Sequence, residues 1–461
     1  MTLEGFGANV CNCSFESFAM SPFSCSLVDH GTLAVPKFFP FDPTMLSKPL
    51  PTSISLSVCL GLSAAAAVLA LHASSCKKNN NKTGGKKKPS RWQLCWAQTL
   101  GRNSYQLANV RVPVAVFRAE VSACMNVDQE GLVECNITIQ DGTIAAIEER
   151  TDGGTASSSF WTTVDCHGCV VIPRFADAHT HLVKSQTVPR NRNSTGTMTE
   201  AFAADGSDEP RWAYQEDVFR RMDFAAKCAV HHGTRTIRTH LDGCSSPDPS
   251  VQQAVYGAFD NIREKYSAVL TVQGVANLYL PLWMTLEATQ HADQAAAHPN
   301  VVLGAYVGNT ADIPPAETLQ AMDALLTHAA RLQLDVDLHI DESNDPRCCA
   351  MKVWCESLKK SRAAGYQGRV VLGHCCTLSL QDAATQAFVC TQLAALGAYV
   401  VSNPLTNLGL QDRQGSKPPL SLMIPNDQSR TPQWRGLTLL QELRAAGVTV
   451  ACASDNVRDQ W

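Results

Sequence analysis

Val170-Val-Ile-Pro-Arg-Phe-Ala-Asp-Ala-His-Thr-His-Leu182 is an apolar, β-branched run that leads into two histidines one residue apart. Seven more such runs follow, at residues 234–239, 269–275, 301–307, 334–338, 369–372, 398–402 and 448–453. The segments between them, at 212–230, 249–265, 315–332, 350–364, 380–396 and 436–446, repeat Ala, Leu, Arg and Gln at helical spacing; only the one near 284–298 is ragged. Strand-like runs alternating with helical segments predict a parallel βα array. With the first run placed at 170–176, eight strands and their helices close most naturally as an α/β fold, a TIM-type (β/α)8 barrel over residues 170–461. The eighth run stands just before Trp461, so the expectation is a barrel truncated after strand 8 and lacking its last helix.

Upstream, residues 112–116, 133–139 and 143–147 alternate or run apolar around the turn Gln140-Asp141-Gly142, which predicts a small antiparallel sheet, the β-sandwich part of the fold, over 110–169. Residues 1–109 are read as an extension outside the fold. They contain an apolar run of 18 residues at 54–71 and a basic, Asn- and Gly-rich linker at 77–91. The run is borderline for crossing a bilayer. It is read as an organelle-targeting presequence, a weak membrane anchor with contact through 54–71, or a segment without structural role. The lysines behind it would keep an inserted chain's barrel on the cytoplasmic side.

Charge separates the same parts. Residues 1–100 hold 9 Lys and Arg against 4 Asp and Glu, and the remainder 29 against 38, within a total of -4. An acidic catalytic part argues against a nucleic-acid partner, which needs clustered cations on the folded domain. The 19 cysteines are odd in number and sparser than in a disulfide scaffold, so they are read as reduced, buried thiols. Cys166-His167-Gly168-Cys169 lacks a second cysteine pair at zinc-site distance and is read as structural.

Chemistry in such a barrel sits at the carboxyl ends of its strands. The first strand ends in His179 and His181, which point to one side because residues two apart in a strand do so. The fifth ends Asp337-Leu-His339-Ile-Asp-Glu342, the sixth Gly373-His374 and the eighth Ala453-Ser-Asp455-Asn456. Imidazoles with one carboxylate suit zinc, iron(II) or manganese with a position left for water, whose pKa the ion lowers to about 7. Glu342 and Asp455 are then placed to move protons. No Lys stands near the end of the fourth strand, which argues for one divalent ion rather than a lysine-bridged pair.

These residues resemble the amidohydrolase superfamily and, within it, the bacterial-type metal-dependent cytosine deaminases. The likeness covers about residues 110–461 and also takes in Arg238-Thr-His-Leu-Asp242 and Ser402-Asn-Pro-Leu-Thr-Asn407. It implies that His179, His181, His339 and Asp455 hold the metal, Glu342 shuttles a proton to the ring nitrogen, His374 orients the hydroxide, and Asp455 takes the proton of the water. Two positions depart from the pattern. The glutamine that reads the pyrimidine edge has Asn277 as its nearest substitute, and the second Asp after strand 8 is Asn456. The implied activity is hydrolytic deamination of cytosine or a related cyclic amidine, with a small-molecule substrate of the pyrimidine-base type and a homo-oligomeric enzyme. The alternatives are hydrolysis of a cyclic amide or N-acyl C–N bond, and an inactive scaffold. His240 and Asp242 are candidate supports behind the metal ligands, and Asn403 and Asn407 candidate neighbours of the substrate.

Overall fold

The computed structural model describes residues 18–20 (backbone only), 104–117, 122, 125–150, 162–412, 432, 434–459 and 461. The apolar run at 54–71 and the linker at 77–91 lie outside them; among the described residues no helix is long and apolar enough to cross a membrane. The chain divides into two compact units at Arg174 and Phe175.

In the first unit, β1 (Phe18–Met20), β2 (Tyr105–Pro113), β3 (Leu132–Gln140), β4 (Thr143–Glu149) and β5 (Thr162–Pro173) form one sheet in the order β1-β5-β2-β3-β4. Asp141 and Gly142 join β3 to β4, both at positive φ (51° and 78°), as a two-residue turn matched to strand twist requires. Alternate residues Val110, Val112, Cys135, Ile137, Val164, Cys166 and Val171 fill the core, so Cys166 packs structurally, as read from sequence. Four corrections follow. The sheet spans more than 110–169, starting at Tyr105 and ending at Pro173. It is not wholly antiparallel, because β2 pairs in parallel with β5. The extension 1–109 contributes Phe18–Met20, paired with Val171–Pro173. The described strands make a single sheet, with no second sandwich layer among them.

The barrel consists of β6 (Phe175–Thr180), α1 (Met198–Asp208), α2 (Gln215–His231), β7 (Thr234–His240), α3 (Pro249–Lys265), β8 (Thr271–Tyr279), α4 (Glu287–Ala297), β9 (Val301–Tyr306), α5 (Pro315–Leu332), β10 (Val336–Ile340), α6 (Ala350–Ala363), β11 (Val370–His374), α7 (Ala383–Ala395), β12 (Tyr399–Ser402), α8 (Pro404–Leu410), α9 (Leu440–Ala445) and β13 (Thr449–Cys452). Its eight strands pair in sequence order, and every pair is parallel. This is the TIM-type architecture read from the sequence. The first strand is Phe175–Thr180 rather than 170–176, because Pro173 and Arg174 break the apolar run. The ragged segment folds as α4 behind a 3-10 turn at Leu280–Met284. The extra helix α1 opens on Thr197, whose hydroxyl accepts from the Glu200 amide. That Thr-x-x-Glu spacing is a capping signature.

The seam closes just beyond β6 and β13. Thr180 bridges Asp455, the His181 amide donates to the Asp455 carbonyl at 2.8 Å, and the Asp455 amide donates to the His179 carbonyl at 2.9 Å. Ser454 supports it by donating its backbone N–H to Asp177 at 3.1 Å. Inside the barrel, Arg238 donates to Asp337 and to Gln273, each at 2.7 Å, forming a polar floor beneath the strand ends. Gly304 belongs to the same interior: a Cβ there would fall 2.4 Å from Asn277 Oδ1 and 2.9 Å from the Asp337 carbonyl. Gly304→Ala should therefore cost about 1–3 kcal/mol through overpacking, read as a lowered urea midpoint. An unchanged midpoint would mean that this layer has slack.

Candidate active site

His179 and His181 come from the end of β6, His240 from β7, His339 from β10, His374 from β11, and Asp455 from just beyond β13. All are buried, and all gather at one end of the barrel. His181 Nε2 lies 3.1 Å from His339 Nε2 and 3.3 Å from Asp455 Oδ1, while His179 Nε2 lies 3.6 Å from the same oxygen. Donors held about 2.0–2.2 Å from one tetrahedral ion stand about 3.3–3.6 Å apart, so this set fits a single divalent cation. His179 Nε2 is buried without a hydrogen-bond partner, as an atom facing such an ion would be.

The electrostatics divide these groups. Burial, reinforced by the neighbouring imidazoles, drives His179, His240 and His339 well below the usual histidine range, keeping them neutral as ligands require. Burial alone would lower His181 too, but the Asp242 carboxylate pushes it up to about 9. That carboxylate faces His181 Nδ1 with both oxygens, at 2.9 and 3.0 Å. Asp455 is buried, which by itself raises a carboxyl, yet His374, His181 and His179 hold it well below the carboxylate range. Glu342 moves the other way: burial raises it, with its Oε1 3.3 Å from His374 Nδ1.

Six residues expected at the site are thus together: His179, His181, His339, Asp455, Glu342 and His374. The two expected readers of the substrate are otherwise engaged. The Asn277 amide closes on His240 Nδ1 at 2.9 Å, and His240 Nε2 stands 3.1 Å from His179 Nδ1, so Asn277 and His240 stand in line behind His179. Asn456 bonds Thr406 and, with its amide turned to suit its neighbours, donates to Asp459 at 3.1 Å. Asp459 is itself pushed up to about 7 by burial. Sequence reasoning missed Lys184, three residues past His181. It is buried with Nζ 3.6 Å from Asp205 and 4.2 Å above the Trp461 ring. A lysine so soon after a His-x-His was the available signal.

Strand-end backbone is unusual here. Asp341, His374, Cys375 and Asp455 all have positive φ, between 51° and 68°. Asp341 uses its turn to accept from the Ala350 and Met351 amides at 2.9 Å each, anchoring α6.

Because Asp242 orients His181, Asp242→Asn should weaken metal binding about 10–100-fold in a chelator competition, with the fold retained. Wild-type affinity in that variant would separate Asp242 from the centre.

No protein-family model matches the chain. Its sequence is 34% identical over 358 residues to a pterin deaminase of Rhizobium rhizogenes, covering 77% of this chain and 74% of that one. It is 25% identical over 332 residues to an N-isopropylammelide isopropyl amidohydrolase of Pseudomonas sp., covering 71% and 72%. Among solved structures, the 5-methylcytosine deaminase of Klebsiella pneumoniae with 5-fluorocytosine superimposes with a TM-score of 0.61 at 23% identity, covering 77% of this chain and 76% of that one. That likeness is one of fold. A buried His-rich centre at the ends of parallel strands and a deaminase relative matched over three quarters of its length lead to one conclusion: the chain belongs to the amidohydrolase superfamily, as a deaminase-like hydrolase of C–N bonds.

Proposed function

We propose that the chain hydrolytically deaminates an amino-substituted heteroaromatic ring of the pterin class. Water adds to the amino-bearing ring carbon, the exocyclic C–N bond breaks, ammonia leaves, and a ring carbonyl remains. The observation that carries the reaction is the buried Glu342 carboxyl beside a four-donor centre. The similarity to a pterin deaminase supports the substrate class.

His179, His181, His339 and Asp455 would hold a divalent cation, which would supply a Lewis acid that brings the pKa of water to about 7. The chain's own groups do the rest. Asp455, kept ionised by three histidines, accepts the proton of the water through Oδ2. Glu342, raised by burial, holds a proton at neutral pH more readily than an exposed carboxyl and delivers it to the ring nitrogen. His374 stands between these two carboxyl groups, 3.3 Å from Glu342 and 3.9 Å from Asp455, and keeps them apart.

Cytosine is the second reading, favoured by the strand-end motifs. Asn277 and Asn456, the residues that would have read its edge, bond protein groups instead. The test is ammonia release by the zinc- or iron-loaded chain from pterin, cytosine, 5-methylcytosine and an N-alkyl triazine. Pterin should be the best substrate by kcat/KM. A preference for cytosine would overturn the substrate class, and ring opening without ammonia would overturn deamination. Glu342→Gln should lower kcat by about 10²–10⁴ while leaving metal content unchanged.

A further inference from the structure

His374 is held at both edges of its ring by amides from one short segment. Asn403 immediately precedes α8 and Asn407 lies one turn into it, and a spacing of four puts both on one face. Asn403 Nδ2 lies 3.2 Å from His374 Nε2, and Asn407 Oδ1 lies 3.2 Å from His374 Nδ1. Both asparagines are fully buried. The Thr438 hydroxyl donates to the His374 carbonyl at 2.6 Å, which fixes the backbone beneath the ring.

A neutral imidazole has one donor and one acceptor nitrogen. An N–H presented to Nε2 and an oxygen presented to Nδ1 match one tautomer and oppose the other. Glu342 Oε1 stands 3.3 Å from Nδ1, on the same edge. We propose that Asn403 and Asn407 are positioning residues that fix His374 as its Nδ1–H tautomer, leaving Nε2 as an acceptor on the edge that faces Asp455. An Nε2 without a proton donates nothing to Asp455 Oδ2, which stands 3.9 Å away and has no protein partner. That oxygen therefore stays open to the proton of the attacking water. Only this catalytic consequence rests on the deaminase reading; the tautomer is a property of the resting chain.

The two amides play opposite parts, and that asymmetry is the test. Asn403→Asp replaces a donor with an acceptor and should move the ring proton to Nε2. Asn407→Asp keeps an acceptor at Nδ1 and should leave the tautomer in place. Ring 15N spectra of the full chain, labelled at histidine and assigned by the signals lost in His374→Gln, should show a protonated Nδ1 and a bare Nε2 in the parent and in Asn407→Asp. The assignment should be reversed in Asn403→Asp. With substrate, Asn403→Asp should lose about 100-fold in kcat at little change in KM, the scale of a misplaced proton-transfer partner. Thermal midpoints establish that both variants fold. A bare Nδ1 in the parent, or the opposite order of the two variants, overturns the assignment. Failure of the deaminase reading would show as absent turnover with the nitrogen spectra as expected.

Discussion

The backbone pairing of Asp455 with the two residues that flank Thr180 is the constraint on which this molecule turns. Its amide and carbonyl hold the seam between first and last strands, and its carboxylate stands among the histidines. A loose seam would spread the donors, and a donor set that repels itself would strain the seam. Four neutral or cationic imidazoles crowded within a few ångströms favour opening unless negative or Lewis-acid charge is placed among them. Asp242 and Asp455 supply the first kind, and the fit of the donors to one cation supplies the second.

Metal chemistry was largely legible in the chain before any coordinates. Two histidines separated by one residue, at the end of a β-branched run, must project to the same side, and the barrel rhythm says which end of the strand matters. Less legible was what each amide does. Asn277 has the right chemistry to read a base, but a strand places it beside His240, and Gly304 leaves room for its amide there. Asn456 is captured by Asp459, three residues on, and by Thr406 from α8, a contact between distant segments that spacing alone does not reveal.

Boundaries failed for local reasons. Residues 170–176 are apolar but for Arg174, yet they serve two sheets, and the Pro173-Arg174 pair at which the chain passes from one to the other is the local cue. The helix α1 gives little periodic signal because its apolar content is thin, although Thr197 and Glu200 mark its start. It supplies Asp205, whose carboxylate lies 3.6 Å from the Lys184 ammonium, so the reason a lysine is buried there sits on a helix with little apolar signal. Burial lowers that ammonium, and the carboxylates of Asp205, Asp242, Asp459 and Asp455 more than restore it.

The left-handed strand ends have an implication for sequence drift. Aspartate and histidine are among the few non-glycine residues that occupy that region with any frequency, and they are also the residues from which this centre is made. At His374 and Asp455 the residue types that suit the backbone and those that suit the chemistry coincide. A change to valine or isoleucine there is penalised twice, once by the torsion and once by the lost donor. A change to asparagine spares the torsion. Inactive descendants of this fold should therefore carry asparagine at these two positions more often than any branched residue.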